Sequence, residues 1–464
     1  MILAYLKIIL AIFLVWPRGY VLIYLIDRSK SMSFGFKFFG GWLLGLAGFT
    51  LDLFATNVFS GLSFGPLLFI ASSITQIFGF GLMIFLFERR IPWPNPKKLK
   101  PFLIRQFNGF LVWPAWQKIA LGLLILSVLI RAAASFWQIT NIPTYDFDAW
   151  NNWNLRAKVI YTEKTIPLAA GDTFRLGGGI SSYPLNDSLF KVWLAAAAGG
   201  FEDRYINLAS LFYYLILLAV FYFSLPPQIN RGLKLLAAYL LSSLPLVYFH
   251  SQVPYADLLF SIFLFLSVAS LFYYLAGRGN SFYYFSGIAL AFSIWTKNEG
   301  LSIILPLMII TTVTLLILKK VQLKHFLLSW FFAALTIAPW LFFRTINNLY
   351  FLSGDSSTFN LVFNSQFIVE IISSIFLRSH FNFLWLLVFM VMILNFKGIW
   401  SEFSRRYLLI TLAALFLFYN VVILFTDKAL DLSALARINL QLAPLGVLFL
   451  TFFFQDFFAK IKGS

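Results

Sequence analysis

Apolar runs of membrane-spanning length recur along almost the whole chain and are separated by short polar turns. A bilayer core about 30 Å thick is crossed by a helix of about 20 apolar residues. On that rule, spans are expected at 2–26, 40–59, 66–87, 119–137, 206–225, 233–248, 256–275, 283–295, 301–318, 326–343, 383–394, 407–425 and 438–454, with a marginal short one at 189–198. The run 362–376 is short enough to lie in the interface or re-enter as readily as to cross. The first run has no small-residue cleavage site and reads as a retained helix rather than a signal peptide. The pattern predicts an all-α polytopic membrane protein with about 12–14 transmembrane helices. Three regions follow: N-terminal helices over 1–138, an outer loop with interfacial helices over 139–187, and a transmembrane bundle over 188–464 with short outer loops, 344–381 among them.

Lys and Arg in short loops are retained on the cytoplasmic side. The densest cluster, "ERRIPWPNPKKLKPFLIR" at 88–105, is therefore placed inside, with "DRSKSMSFGFK", "AGRGN", "LKKVQLKH", "NFKGIWSEFSRR" and "KIKGS". The loop after the fourth span then lies outside, together with "HSQVPYAD", "WTKNEG", 344–381 and "DKALDLSALARIN". Between Asp187 and Arg231 the chain must pass from outside to inside, yet two apolar runs lie there. Either the first dips without crossing, or the second is broken into two short helices.

Composition supports the membrane class, with 60% hydrophobic and 11% charged residues. The net charge of +17 is dispersed over loops that flank spans, which suits anionic lipid headgroups and gives no nucleic-acid surface. Cysteine is lacking, so no disulfide ties the outer loops. "LGGGIS" at 176–181 follows no strand and reads as a flexible loop rather than a phosphate cradle. His250, His325 and His380 are far apart and read as ordinary loop or interfacial residues, as does Arg378.

The stretch "TYDFDAWNNWNLRAKVIY" at 144–161 gathers two aspartates, an arginine, a lysine and several large rings beside the outer surface. Its plain reading is a solvated acidic loop with an interfacial anchor. Trp150, Trp153 and Ala157 fall at helical spacing, however, as in an amphipathic helix lying in the interface, and Arg156 and Lys158 are then placed to meet phosphate headgroups. A carboxylate just before such a helix puts a base beside a lipid phosphate.

Here the sequence resembles a family. "FDAWNNWNLRAKVIY" is similar to the first-outer-loop motif of bacterial multipass glycosyltransferases of the GT-C type, related to the protein mannosyltransferases and the aminoarabinose transferase of lipid A. The likeness continues in order through "SSYPLNDSLFKVWLA", "QVPYADLLFSIFLFLS", "SIWTKNEGLSIILP", "APWLFFR" and "ALARINLQLAP", over roughly 145–444. Each motif is short; their order and shared outer side carry the resemblance. Where relatives often have an acidic residue or His-Pro before the Tyr, this chain has Ser181 and Ser182, which leaves the acceptor side open.

The resemblance implies an integral membrane enzyme of the bacterial inner membrane with its active site facing outside. It would move a sugar from a polyprenyl-phosphate donor to a lipid, glycan or protein acceptor. Such transfer passes through an oxocarbenium-like state while the acceptor hydroxyl loses its proton, so a carboxylate base is needed. The leaving group is already a phosphate, so cations take the place of a general acid. Asp148 is expected as the base, with Asp146 second. The substrate-binding set is expected to comprise Trp150, Arg156, Lys158, Tyr183, Tyr255, Asp257, Lys297, Glu299, Arg344 and Arg437.

Plainer roles exist for several of these. Asp257 can cap its helix, Lys297 and Glu299 can pair with each other, and Arg344 and Arg437 can be snorkelling anchors. Asp146 and Asp148 form a D-x-D, which binds a divalent cation in other glycosyltransferases; relatives of this type use basic residues instead, so no cofactor is expected with certainty. A polysaccharide polymerase or ligase would share the donor but favour Arg and His motifs in its loop. A lipid-linked sugar flippase would bury charges mid-span on broken helices with repeat symmetry, and a structural subunit would not gather its polar turns on one side.

Overall fold

The computed structural model describes residues 2–87, 114–169, 171–349, 363, 365–425 and 432–463. The basic cluster at 88–105, most of the loop 344–381 before 365, and part of "DKALDLSALARIN" lie outside the described residues. Among the described residues the chain forms helices and turns and no strand. Among the described residues, eight helices are long and apolar enough to cross a membrane, or nine if the bent pair Ala434–Leu440 and Ala443–Ala459 is one span. It is an integral, multipass, all-α membrane protein.

Pro66–Phe87, 22 residues long, stands where a span is expected, while several other apolar runs expected to cross fold into shorter helices. Asn186–Ala198 and Arg231–Ser243 have 13 residues each, about 20 Å at 1.5 Å per residue and short of the hydrocarbon thickness. Asn280–Thr296 has 17. The same arithmetic bears on the stretch between 187 and 231. Asp203–Ser224 is long enough to cross as a single span of 22 residues, whereas Asn186–Ala198 is too short, and its first half is buried in protein.

The first two helices, Ile2–Ile26 and Phe34–Ser60, pack backbone to backbone. A Cβ on Gly19 would lie 1.9 Å from the Gly41 carbonyl oxygen, and one on Gly45 would lie 2.0 Å from that of Val15. Small residues at such a crossing are what helices in lipid use, since burial of apolar surface gives no gain there. Ser33 caps the second helix by accepting from the Phe36 amide at 3.1 Å.

Not every charge sits at a loop edge. Arg18, inside the first helix, donates to Ser73 Oγ at 2.8 Å and lies 4.6 Å over the Phe49 ring. Asp52, inside the second, accepts from Ser72. Both of these charges therefore have polar or aromatic company, as the cost of burying them demands.

At the centre runs Asp257–Leu275, buried along nearly its whole length among Leu208–Ser224, Asn280–Thr296, Phe403–Leu424 and Ala443–Gly463. Ser267 Oγ donates to the Ser286 carbonyl at 3.2 Å and Ser286 Oγ returns a bond to the Ser267 carbonyl at 2.6 Å, stitching two of these helices. The ends of these buried helices carry Asp257 and Lys297, and from there the site is built.

Candidate active site

The loop after Ala115–Asn141 is fixed before it reaches the aspartates. The Thr144 amide donates to Asp203 at 3.0 Å, and Thr144 Oγ1 accepts from Asn154 at 3.1 Å and Asn207 at 2.9 Å. Asp146 and Asp148 follow, then a π-helical turn over Ala149–Asn154 that passes into an α-helix, Leu155–Glu163. Asn152 accepts the Ile180 amide at 3.1 Å and reaches Asp148 Oδ1 at 3.4 Å. The segment "LGGGIS" packs against this helix rather than floating free. A Cβ on Gly177 would lie 2.8 Å from the Arg156 carbonyl, and one on Gly179 would lie 2.5 Å from Asn152 Oδ1, both at positive φ.

The carboxylates take different partners. Asp146 accepts from the Tyr255 hydroxyl. Asp148 forms an ion pair with Arg437 at 2.5 Å, across 289 residues of sequence. The Arg437 guanidinium lies 4.8 Å over the Tyr255 ring, so these four side chains are one connected group. Burial, and then the bond to Asp146, raises the Tyr255 phenol well above its ordinary value and keeps it a donor.

Two residues beyond Tyr255, Asp257 is fully buried and meets Lys297 at 2.9 Å and Gln441 Nε2 at 3.0 Å. Lys297 also pairs with Glu299 at 2.8 Å. Burial disfavours the Lys297 ammonium, but Asp257 and Glu299 together outweigh it and raise its pKa. Lys297 lies 5.8 Å over the Tyr183 ring. Gly300 is required by close approach, since a Cβ there would lie 2.6 Å from the Ser293 and Ile294 backbone. Arg344 joins the edge of this group through Asn298 at 2.8 Å and the Ser182 carbonyl at 3.4 Å.

Asp146, Asp148, Tyr183, Tyr255, Asp257, Lys297, Glu299 and Arg437 therefore come together, with Arg344 alongside. Three of the expected residues are placed otherwise. Arg156 faces no headgroup: it is fully buried and donates to the carbonyls of Leu176 at 3.2 Å, Tyr183 at 2.8 Å and Pro184 at 3.4 Å. Burial lowers its pKa to about 9. Trp150 does not share a face with Trp153 and Ala157; it is 49% exposed while they are buried. The π turn, with its i→i+5 bonding, shifts the phase that 3.6-residue spacing assumes. Lys158 is exposed on its helix.

Some supporting residues are not evident from motif reading. His250, read as an ordinary loop histidine, is fully buried with its ring 5.3 Å from that of Tyr255, and burial lowers its pKa to about 4. Asp187 and Lys191 form a buried i,i+4 pair at 2.6 Å; Lys191 also donates to the Pro254 carbonyl at 3.0 Å, and Tyr213 donates to Asp187 at 3.0 Å. This pair holds the turn that presents Tyr255. Its signal was two opposite charges one helical turn apart in an apolar run.

The donors available to a cation are the carboxylates of Asp146 and Asp148, which here engage Tyr255 and Arg437. Among the described residues no cluster of three or more His, Asp or Glu side chains is arranged to hold a metal ion.

No protein-family profile matches the chain. No curated protein matches it either. Among solved structures it is similar to the crystal structure of ArnT from Cupriavidus metallidurans bound to undecaprenyl phosphate, at 12% identity and a TM-score of 0.48, over 71% of this chain. The chain spans 60% of the length of that protein.

Proposed function

We propose that the protein is a membrane glycosyltransferase that takes a sugar from a polyprenyl-phosphate donor and passes it to a hydroxyl of a lipid, glycan or protein on the extracytoplasmic side. The observation that carries this reading is the Asp146–Tyr255–Arg437–Asp148 group, which joins the first outer loop to the two later segments that share its family resemblance. A carboxylate beside a guanidinium at the membrane surface is what base-assisted transfer from a phosphate requires.

In this reading the acceptor oxygen bonds to the sugar's anomeric carbon as the bond from that carbon to the phosphate oxygen breaks. The hydroxyl proton passes to Asp148, and the polyprenyl phosphate leaves with its electron pair. Arg437 is the cation best placed for that phosphate, since its side chain retains 17% exposure and can form paired hydrogen bonds to oxyanions. Lys297, held between two carboxylates, acts mainly by fixing Asp257 and the Tyr183 side of the site. Arg156 serves by shaping the backbone at Tyr183 and Pro184.

The test is transfer from labelled polyprenyl-phosphate sugars to a membrane extract by protein in nanodiscs. Asp148→Asn is expected to abolish transfer and still bind donor. A wild-type protein that consumes no such donor would sink the reading. Because the chain lacks cysteine, single Cys substitutions at 158 and 37 labelled from either side test the orientation, with only the first expected to react from outside.

A further inference from the structure

Asp146 also borders a second environment, which Arg437 does not line. A small cleft there holds about 250 Å³ of empty space including its open mouth, and its polar lining is Gln138, Thr144, Tyr145, Asp146, Asn207 and Gln252. Apart from Asp146 these side chains are uncharged, whereas the Asp148 side of the pair carries the Arg437 guanidinium. Tyr145 is exposed at the rim, and its hydroxyl accepts from Gln138 Nε2 at 3.4 Å. The floor is rigid: Thr144 and Asn207 are bonded to each other at 2.9 Å, and Pro254 is held through its carbonyl by buried Lys191.

An anionic ligand has no cation to meet in this cleft, and a purely apolar one would strand its amides. Neutral hydroxyls, which both donate and accept, match a lining of amides, a phenol and one carboxylate. We propose that this cleft is the acceptor subsite and takes an uncharged, hydroxyl-bearing headgroup, with Asp146 and Gln252 binding its hydroxyls. The proposal rests on the transferase reading and divides the aspartates by role. Asp146 positions the acceptor's neighbouring hydroxyls, and Asp148 receives the proton from the reacting one. The cleft is small and open at its mouth, so it meets one hydroxyl-bearing edge of such a headgroup and leaves the rest outside.

The experiment compares wild type, Gln252→Leu and Tyr145→Phe in nanodiscs, measuring undecaprenyl phosphate binding by tryptophan fluorescence and transfer rate against the concentration of membrane extract. Gln252→Leu is expected to raise the half-saturating extract concentration at least tenfold, and Tyr145→Phe severalfold, with undecaprenyl phosphate affinity within twofold of wild type. Since Tyr145 is exposed, its variant keeps the test open should Gln252→Leu fail to fold. Wild-type half-saturation in the folded variants overturns the cleft assignment and leaves the transferase reading intact. Undecaprenyl phosphate affinity falling in step with half-saturation also overturns it, because the cleft would then belong to the donor. If wild type transfers no sugar at all, the transferase reading fails and the subsite falls with it.

Discussion

Replacing Lys297 with Met keeps most of the stem's volume and removes the ammonium. That group lies 2.9 Å from Asp257 and 2.8 Å from Glu299. The consequences for its two partners differ. The Glu299 side chain is 14% exposed and can turn toward water, whereas Asp257 is fully buried and is left with Gln441 at 3.0 Å. Breaking a buried ion pair from one side costs about 3–5 kcal/mol, because the remaining charge is stranded. The surviving Gln441 bond puts the expectation at the lower end, about 3 kcal/mol. Asp257→Asn should cost less, about 1–2 kcal/mol, since the amide oxygen still accepts and Lys297 keeps Glu299. The double variant strands no charge and should fall short of the sum by about 2 kcal/mol. Reversible unfolding in mixed detergent micelles, run as a double-mutant cycle, measures all three. A cost below about 1 kcal/mol for Lys297→Met, or strict additivity, would refute the claim that Lys297 mainly neutralises Asp257.

Arg156→Met should destabilise by about 3 kcal/mol, since it leaves the carbonyls of Leu176, Tyr183 and Pro184 without their donor in a buried setting; the same unfolding measurement reads it. Gly45→Val should prevent the first two helices from meeting, because its Cβ would overlap the Val15 carbonyl, and monodisperse yield on size exclusion reports the loss. The buried His250 has its pKa lowered to about 4 from 6.5, so the unfolded chain binds the extra proton first. Stability is then full above about pH 6.5 and declines as pH falls toward 4, and His250→Gln should flatten that part of a thermal-unfolding pH series.

The span pattern was legible because a bilayer imposes one length on every crossing helix, and Ile2–Ile26, Asp257–Leu275 and Phe403–Leu424 sit where apolar runs placed them. Short helices such as Arg231–Ser243 were counted as spans, and Asn186–Ala198 was left open, because an apolar run does not reveal whether lipid or protein surrounds it. Most of the side chains that come together in the candidate site stood out in the sequence as well, since polar groups at the ends of apolar runs need a reason to be there. Their pairing was not. The contact between Asp148 and Arg437 exists only through the packing of the helices between them. Arg156 was misread for a related reason: an arginine near the outer surface suggests a headgroup, and only the folded loop brings three carbonyls around it. Trp150 was misplaced by a periodicity that the π turn breaks.

The unlike partners of the two aspartates bear on how such a site works at rest. On the transferase reading, the Arg437 guanidinium awaits a lipid phosphate and needs a counter-charge meanwhile, and Asp148 lies 2.5 Å from it. On that reading, an arriving phosphate competes for Arg437 and takes over the carboxylate's part, so little charge compensation is lost in the exchange and Asp148 becomes available to the acceptor. Asp146 needs no such exchange, because its partner is the uncharged Tyr255 phenol. Asp148→Asn should therefore bind undecaprenyl phosphate at least as tightly as wild type while losing transfer. Equilibrium binding in nanodiscs decides the point, since a variant that loses donor affinity along with activity would mean that Asp148 holds Arg437 in place for the phosphate rather than competing with it.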